Sequence, residues 1–294
     1  LHLNYFLENE NNDYAWNKKL AIMLLIEDSF PVSLFEEEIR EIPVNKADIF
    51  VLGCKHQINS VKNIITDSAG CFVCAETDYV SLLKKSADVI KEHKYDYVCV
   101  ISLSDVEKNK KAIEQISYIK NAWKAVAENE NVIGNAIKSM EDNPRMGMLI
   151  PPFAVHGDYF RKNEEPWCGR FKEVKAYIAD LEPSVNVSEG ERPIASLSGN
   201  FWIRYDLLLD LIDRLPNKDK DLAMMLLPIY IQWKLEYVGV SLERDCARGD
   251  LTNRFYMMRE NNKAIFKNVY AGKHMQVRAA LNDYVNRKLI ERKS

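Results

Sequence analysis

The run Leu20-Ala-Ile-Met-Leu-Leu-Ile26 decides the fold class, because it is apolar at every position. A strand covered on one face alternates apolar and polar residues, whereas a strand buried on both faces reads as a continuous apolar run. The run ends at Glu27, Asp28 and Ser29, and a helical pattern then extends through Ile42. The stretch therefore predicts the first strand of a sheet with helices on both faces.

Further strand–helix units follow this first one along the chain. The predicted strands are Ala47–Leu52, Cys71–Ala75, Tyr95–Ile101 and Met146–Ile150. A long helical and charged pattern over residues 108–142 precedes the last strand. Consecutive units of this kind connect by right-handed crossovers and build a parallel sheet. We therefore expect an α/β fold with a mostly parallel sheet, flanking helices and a helical C-terminal part.

Polar side chains gather where the predicted strands end. They are Asp28, Lys55, His56, Glu76, Asp78, Ser102, Ser104 and Asp105. In open α/β sheets, ligands bind outside the carboxyl ends of the strands, so this edge is a candidate cleft for a nucleotide or another small molecule. The alternative is that these residues belong to ordinary loops, with Asp78 and Asp105 serving as helix N-caps.

A second informative stretch is Ala195-Ser-Leu-Ser-Gly-Asn-Phe-Trp-Ile-Arg-Tyr-Asp-Leu-Leu-Leu209. It reads as a strand that enters a tight bend and leaves as a helix. The amide of Asn200 and the guanidinium of Arg204 lie within an apolar, aromatic segment, so they need buried partners or a ligand. The alternative is that Phe201 and Trp202 are core residues and that Arg204 is a solvated helix start.

Composition excludes several classes of function. A formal net charge of −3 gives no general attraction to phosphate backbones, so we expect no nucleic-acid partner. The chain carries no glycine-rich dinucleotide motif, P-loop, nucleophile elbow or zinc-protease motif. It shows neither a signal peptide nor an apolar run of about 18 residues, so we expect a cytoplasmic protein without a membrane span.

The cysteines and histidines do not form a recognisable metal motif. Cys71 and Cys74 make a CxxC, but they fall in a predicted strand, where side chains at i and i+3 face opposite sides. The five histidines show no ligand spacing. We therefore expect the six cysteines to be free thiols in a reducing compartment.

Four segments, together with their order, carry a resemblance. They are Tyr95–Cys99, Asn143–Pro151, Gly199–Arg204 and Leu226–Gly239, with Asn253 downstream. They resemble the rhamnan synthesis protein F family of bacterial polysaccharide glycosyltransferases. The family's third segment reads approximately Gly-Ser-Met-Phe-Trp-x-Arg, so Gly199, Phe201, Trp202 and Arg204 match it. The resemblance covers roughly residues 20–260.

The resemblance implies a GT-A-like, Rossmann-like fold in which a nucleotide sugar lies across the carboxyl edge of the sheet. Residues 1–19 would be a lead-in, 20–150 the nucleotide-sugar-binding half, 151–262 the acceptor side and 263–294 a C-terminal helix packed on the body. The implied donor is a deoxythymidine- or uridine-diphosphate sugar, with rhamnose as the sugar. The implied acceptor is a surface polysaccharide, glycolipid or glycoprotein at the inner face of the cell membrane, where a partner glycosyltransferase domain is a further candidate contact.

Glycosyl transfer requires a base for the acceptor hydroxyl and positive charge for the leaving diphosphate. Asp158, in the long loop after the fifth predicted strand, is the candidate base, and its alternative is a loop-capping turn. The candidates for the diphosphate are Lys55, His56, Arg170 and Arg204. Arginine suits this role best because its guanidinium can contact phosphate through two parallel hydrogen bonds.

The other candidate residues would contact the rest of the nucleotide sugar. Polar contacts are assigned to Asp28, Asp78, Ser102, Ser104 and Asn200. Trp202 would stack on a base or a sugar, although tryptophan in such a segment is more often core. Asp105 would hold a ribose or act as a single metal ligand. Because no Asp-x-Asp follows the fourth strand, a divalent metal clamping the diphosphate is disfavoured.

Two other functions stay open at this stage. The segment Ser102–Asp105 stands where the family tends to carry His-Thr-Lys-Lys, and Glu76 and Thr77 replace expected basic residues. These departures favour a non-catalytic module that keeps the fold and binds a glycan or a partner. A pyrophosphorylase-like enzyme that modifies nucleotide sugars is disfavoured by the missing glycine-rich phosphate loop.

Overall fold

The computed structural model describes residues 4–6, 17–65, 69–106, 112–151, 166–181, 185, 187–191 and 193–242, together with residues 276, 279, 280, 283 and 284. The described strands are β1 (Asn4–Phe6), β2 (Leu20–Ile26), β3 (Asp48–Gly53), β4 (Gly70–Val73), β5 (Tyr97–Leu103), β6 (Met146–Ile150), β7 (Phe201–Arg204) and β8 (Tyr237–Leu242). They form one eight-stranded sheet in the order β1-β8-β6-β7-β5-β2-β3-β4. Only β7 runs antiparallel to its neighbours in this sheet.

Helices cover both faces of the sheet. The described α-helices are α1 (Glu36–Arg40), α2 (Lys55–Lys62), α3 (Tyr79–Ile90), α4 (Ala112–Ala127), α5 (Glu130–Asp142), α6 (Phe171–Tyr177), α7 (Tyr205–Leu211) and α8 (Lys220–Trp233). A 3₁₀ helix, Val32–Phe35, leads into α1. The predicted pattern over residues 108–142 becomes two helices, because the side chain of Asn129 caps α5 by accepting hydrogen bonds from the amides of Asn131 and Val132.

The apolar run that indicated the fold class occupies a central position in the sheet. Strand β2 lies between β3 and β5, and all seven of its residues are buried. Its side chains alternate between two cores. Ala21, Met23 and Leu25 join a core with α3, α7 and α8, while Ile22 and Leu24 join a core with α1, α2, α4 and α5. The predicted α/β class, with a mostly parallel sheet and flanking helices, is confirmed.

Strand β7 enters the sheet in the direction opposite to all the other strands. Its residues pair with β5 so that Phe201 lies opposite Val100 and Arg204 lies opposite Tyr97. The start of β7 is therefore beside the carboxyl half of β5, and its end is beside the first residue of β5. The tight turn precedes the strand, rather than following it as the sequence suggested, and α7 begins directly after Arg204.

The ring of Trp202 fixes β7 in the sheet. It is fully buried in the core beneath α4 and α5, and its indole N–H donates to the carbonyl oxygen of Val126 at 2.8 Å. Phe201 and Ile203 point into the opposite core. Because successive side chains of a strand point to opposite faces of the sheet, β7 contributes residues to both cores.

The predicted halves contribute strands to one sheet. Strands β5 and β7, from either side of residue 150, are directly paired, and part of the lead-in forms β1 against β8. The assignment of donor and acceptor binding to the two halves stays a prediction. Residues 276, 279, 280, 283 and 284 are helical, and the rest of the predicted C-terminal segment 263–294 lies outside the described residues.

We predict that Trp202→Phe lowers the free energy of unfolding by about 1–3 kcal/mol, because it leaves the buried carbonyl of Val126 without its donor. The matched control is Trp233→Phe. The ring of Trp233 is partly exposed beneath Arg214 and Lys234, at 4.7 and 4.8 Å from the two cations. We expect the control to lose less than about 1 kcal/mol. Urea titration measures both values, and an equal loss in the two variants would contradict this role of Trp202.

Candidate functional site

The candidate site lies at the carboxyl edge of the parallel strands. The ends of β2 and β5, the start of β7 and the first turns of α3 and α8 meet there. Lys220, the first residue of α8, connects them. Its ammonium donates to the hydroxyl of Ser102 at 3.0 Å and to the hydroxyl of Ser104. It also lies 4.9 Å from the centre of the Tyr79 ring, so a cation is held at the end of β5.

The amide of Asn200 reaches the same place because β7 is antiparallel. Its side-chain oxygen accepts a hydrogen bond from the amide of Ser102 at 2.8 Å. The side chain is fully buried, and its Nδ2 atom has no hydrogen-bond partner among the described residues. A buried donor without a partner costs free energy, and zero exposure keeps a ligand from reaching it, so Asn200 supports the site by fixing the backbone of Ser102.

Gly199 allows this close approach of the chain. Its φ is +81°, a conformation that glycine adopts without a steric penalty. A Cβ atom there would lie 2.7 Å from Tyr79, 2.9 Å from Lys220 and 3.0 Å from Ser102. The hydroxyl of Tyr79 donates to the Gly199 carbonyl at 2.9 Å. The first residue of the Gly199–Arg204 segment is therefore glycine because both the backbone conformation and the close neighbours exclude a Cβ atom.

Two carboxylates at the ends of β2 and β5 are fixed by backbone amides. Glu27 accepts a hydrogen bond from the amide of Asp105 at 2.7 Å, and Asp105 accepts one from the amide of Ser29 at 2.6 Å. Burial raises the pKa of the Glu27 carboxyl, and the nearby Lys220 ammonium opposes that rise. Asp105 thus holds the loop after β2 against the loop after β5.

The surroundings of Asp105 do not fit a divalent ion clamping a diphosphate. Ser102 at the end of β5, with Ser104 and Asp105 after it, offers two hydroxyls and one carboxylate, and the Lys220 ammonium already contacts both serines. A second cation beside the first would be repelled. Positive charge at this edge is supplied by a side chain of the protein.

Arg170 lies beside the same helix start. Its guanidinium makes two hydrogen bonds to Asp219, at 2.9 and 2.6 Å, and it also contacts Glu173. The hydrogen bonds to these two carboxylates raise its pKa. Asp219 in turn caps α8 by accepting from the amide of Leu222. Arg170 therefore positions the helix turn that carries Lys220.

The remaining rim residues lie nearer to β3 and α3. Lys55 and His56 are exposed in the first turn of α2, and the imidazole of His56 is 3.9 Å from the carboxylate of Asp28. A cavity of about 470 Å³, whose lining includes Asp28 and His56, opens between the 3₁₀ helix and α2. Asp78 caps α3 by accepting a hydrogen bond from the amide of Ser81 at 3.1 Å, which is the helix N-cap role that the sequence offered as the alternative to ligand binding.

Two predicted contacts are wrong. Trp202 cannot stack on a base or a sugar, because its ring is fully buried in the core. Arg204 cannot face the cleft, because antiparallel β7 carries it to the opposite edge of the sheet. There it pairs with Glu236 and Asp206, each at 3.1 Å. Asp158, the candidate base, lies outside the described residues.

The sequence interpretation missed two residues of this site. Glu27 is the first polar residue after β2, so its position was a signal that could have been used. Lys220 follows a polar turn and lies 118 positions after Ser102 in the sequence. Nothing in its local sequence distinguishes it from a solvated helix start.

These features define an α/β protein with a mostly parallel sheet and a cationic, polar site at the carboxyl edge of that sheet. The rhamnan synthesis protein F family matches residues 13–229, and the chain belongs to this family. Membership confirms the resemblance and supports a glycosyltransferase-like role in polysaccharide synthesis. No curated protein matches the sequence significantly.

The solved structures that resemble this chain are distant. A cytidylyltransferase from Leptospira borgpetersenii serovar Hardjo-bovis (strain JB197) is 8% identical, with a TM-score of 0.39 and 79% of each chain covered. CMP:2-keto-3-deoxy-manno-octonic acid synthetase complexed with CTP is 9% identical, with a TM-score of 0.38 over 76% of this chain and 88% of its own. Glucosyl-3-phosphoglycerate synthase from Mycobacterium tuberculosis, in complex with phosphoglyceric acid, is 13% identical, with a TM-score of 0.36 over 80% and 75%. Likeness at this level assigns no role to any residue.

Among the described residues, no helix is both long enough and apolar enough to cross a membrane.

We predict that Gly199→Ala destabilises the protein by at least about 1–3 kcal/mol, the usual cost of forcing a non-glycine residue into a strained backbone conformation. It should also displace Lys220 from the serines. Gly190→Ala is the matched control, since no atom lies within 4 Å of the Cβ it would add. We expect a change within about 0.5 kcal/mol for the control. Thermal melting compares the two, and a Gly199→Ala protein as stable as the control would contradict the described turn.

Proposed function

We propose that this protein is a glycosyltransferase that moves a sugar, namely rhamnose, from a deoxythymidine- or uridine-diphosphate donor to a bacterial surface polysaccharide or glycoprotein. One observation carries the proposal. The Lys220 ammonium donates to the hydroxyls of Ser102 and Ser104 at the end of β5, and the side chain of Asn200 holds the backbone of the same Ser102. Family membership supports the reaction class.

The diphosphate of the donor would bind at this point. As the glycosidic bond breaks, negative charge develops on the leaving diphosphate, and a cation held in advance stabilises that charge more than it stabilises the intact donor. Lys220 would supply this charge in place of a divalent metal. Asn200, whose side chain is fully buried, would hold the end of β5 in place by accepting the amide hydrogen bond of Ser102. Ser102 and Ser104 hold the ammonium in position before the donor arrives.

We assign the base to Asp158 on the sequence argument alone. In an inverting transfer, the acceptor oxygen bonds to the anomeric carbon and the bond from that carbon to the diphosphate oxygen breaks. The hydroxyl proton passes to the carboxylate, and the diphosphate leaves with the negative charge. Asp158→Asn would keep the size of the side chain and remove the base. We expect it to abolish transfer while donor binding persists.

We also propose a class of acceptor and a cellular location for the protein. A nucleotide-sugar donor is made inside the cell, so we propose that the protein acts on a glycan or glycolipid at the inner face of the membrane. A second glycosyltransferase domain is a candidate partner there. We propose no nucleic-acid partner, because the formal net charge is −3.

The reaction class is tested with purified protein and a panel of deoxythymidine- and uridine-diphosphate sugars. The proposal expects release of the nucleoside diphosphate and formation of a glycoside. Pyrophosphate exchange would instead indicate a pyrophosphorylase. Binding of a donor without turnover would indicate the non-catalytic module suggested by the departures from the family pattern. The absence of both turnover and a thermal shift with every one of these donors would rule the proposal out.

We predict that Lys220→Met lowers kcat by about a hundredfold to a thousandfold, the usual cost of removing one group that stabilises transition-state charge. Lys218→Met is the matched control. Its side chain is 65% exposed in the same turn and lies 3.6 Å from Glu76. We expect the control to retain the activity of the unmodified protein. Steady-state kinetics and thermal melting of both variants provide the test, and a Lys220→Met enzyme with normal kcat would contradict the role of Lys220.

A further inference from the structure

A second cluster of reactive side chains lies on the β3 side of the rim, away from Lys220. The thiol of Cys54 is 2.9 Å from Nδ1 of His56, and that nitrogen is 3.9 Å from Oδ1 of Asp28. One ligand atom from each of the three lies within 4.8 Å of the other two. Among the described residues, this is the one group of three His, Cys, Asp or Glu side chains that meets this condition.

We propose that Asp28, Cys54 and His56 form a binding site for a transition-metal ion of the zinc class. Sulfur, imidazole nitrogen and carboxylate oxygen are the three donor types that Zn²⁺ takes in proteins. This donor set differs from the all-oxygen set that Mg²⁺ prefers. The site is also distinct from the position at the end of β5, where the residues do not fit a divalent ion. It does not depend on the proposed glycosyl transfer.

The distances require only small movements. In a tetrahedral zinc ion with bonds of about 2.0–2.3 Å, a sulfur and a nitrogen ligand are roughly 3.6 Å apart, and a nitrogen and an oxygen ligand are roughly 3.4 Å apart. The sulfur–nitrogen distance would therefore lengthen by roughly 0.7 Å, and the nitrogen–oxygen distance would shorten by roughly 0.5 Å. The exposed side chains of His56 and Asp28 would rotate to make these changes, and the sulfur and oxygen atoms, within 4.8 Å of each other, would approach to roughly 3.6 Å.

The backbone that carries the three ligands is fixed in advance. The buried side-chain amide of Gln57 donates to three carbonyls of the loop after β2, those of Glu27 at 3.2 Å, Asp28 at 2.6 Å and Phe30 at 2.9 Å. Gln57 follows His56 in the first turn of α2, so it connects the loop of Asp28 directly to the helix of the other two ligands. A preorganised backbone lowers the cost of assembling a metal site.

The site is open to an arriving ion. The side chains of His56 and Asp28 are 66% and 61% exposed. Burial, together with the hydrogen bond to Asp28, raises the pKa of the Cys54 thiol. Metal binding would displace the thiol proton, which is released to solvent, because the thiolate is the metal ligand.

Three protein ligands leave one position of a tetrahedral ion for water or an external ligand. The cavity of about 470 Å³ is lined by Asp28 and His56, so the ion would lie at its mouth. Ser29, Ser33, Ser60 and Asn63 also line this cavity and offer hydrogen bonds to an occupant. The fourth position would therefore be taken by water, or by an oxygen or nitrogen atom of a ligand in this cavity.

The test is a titration of the metal-free full chain with Co²⁺, followed by displacement with Zn²⁺. We expect one ion per chain and a thiolate-to-cobalt charge-transfer band. Cys54→Ser should abolish the band. His56→Gln should lower zinc affinity by more than the roughly tenfold to hundredfold lost with an outer-shell partner. The double variant Cys71→Ser/Cys74→Ser removes two other free thiols and should leave the band unchanged.

The proposal fails if the chain binds no more cobalt than Cys54→Ser does. It also fails if the band survives in Cys54→Ser or disappears in the Cys71→Ser/Cys74→Ser control. Melting curves without metal should be the same for the unmodified protein and the Cys54→Ser and His56→Gln variants, because these two ligands belong to neither core. Since metal binding is read without a sugar donor, failure here leaves the proposed glycosyl transfer untouched.

Discussion

The antiparallel entry of β7 between β5 and β6 is the constraint on which the site depends. A parallel strand would place Arg204 at the carboxyl edge and Asn200 at the opposite edge. Because the strand is reversed, Asn200 lies beside Ser102 and Arg204 pairs with Glu236 at the far edge. The buried indole of Trp202 and the left-handed turn at Gly199 maintain this direction. The same segment thus supplies core packing, a chain reversal and one polar group for the site.

Charge at the carboxyl edge is arranged around a lysine. The Lys220 ammonium is surrounded by hydroxyls, an aromatic ring and a carboxylate whose pKa is raised by burial. Arg170 and Asp219 hold the helix turn that carries it. A cation positioned in this way needs no reorganisation when a diphosphate leaves, which is the condition for electrostatic catalysis. The β3 side of the rim presents a different chemistry, based on a thiol and an imidazole.

Much of the fold could be predicted from the sequence, because local patterns determine it. The apolar run of β2 indicated burial on both faces, and the strand–helix units indicated a parallel sheet. The direction of β7 could not be predicted, because a strand of four residues has the same pattern whether it runs parallel or antiparallel to its neighbours. The polar rim was predicted as a set, but Lys220 joins it across more than a hundred residues. The group of Asp28, Cys54 and His56 was not predicted, because Asp28 follows β2 whereas Cys54 and His56 follow β3, and local sequence does not show that their side chains meet.

The central claim is that Lys220 binds the diphosphate of a nucleotide-sugar donor at the carboxyl edge. A crystal structure of the protein with a bound uridine or deoxythymidine diphosphate tests it most directly. We predict a phosphate oxygen within hydrogen-bond distance of the Lys220 ammonium, with Ser102 and Asn200 beside it. Phosphate density against Arg204 at the opposite edge, or no nucleotide at the carboxyl edge at saturating concentration, would contradict it.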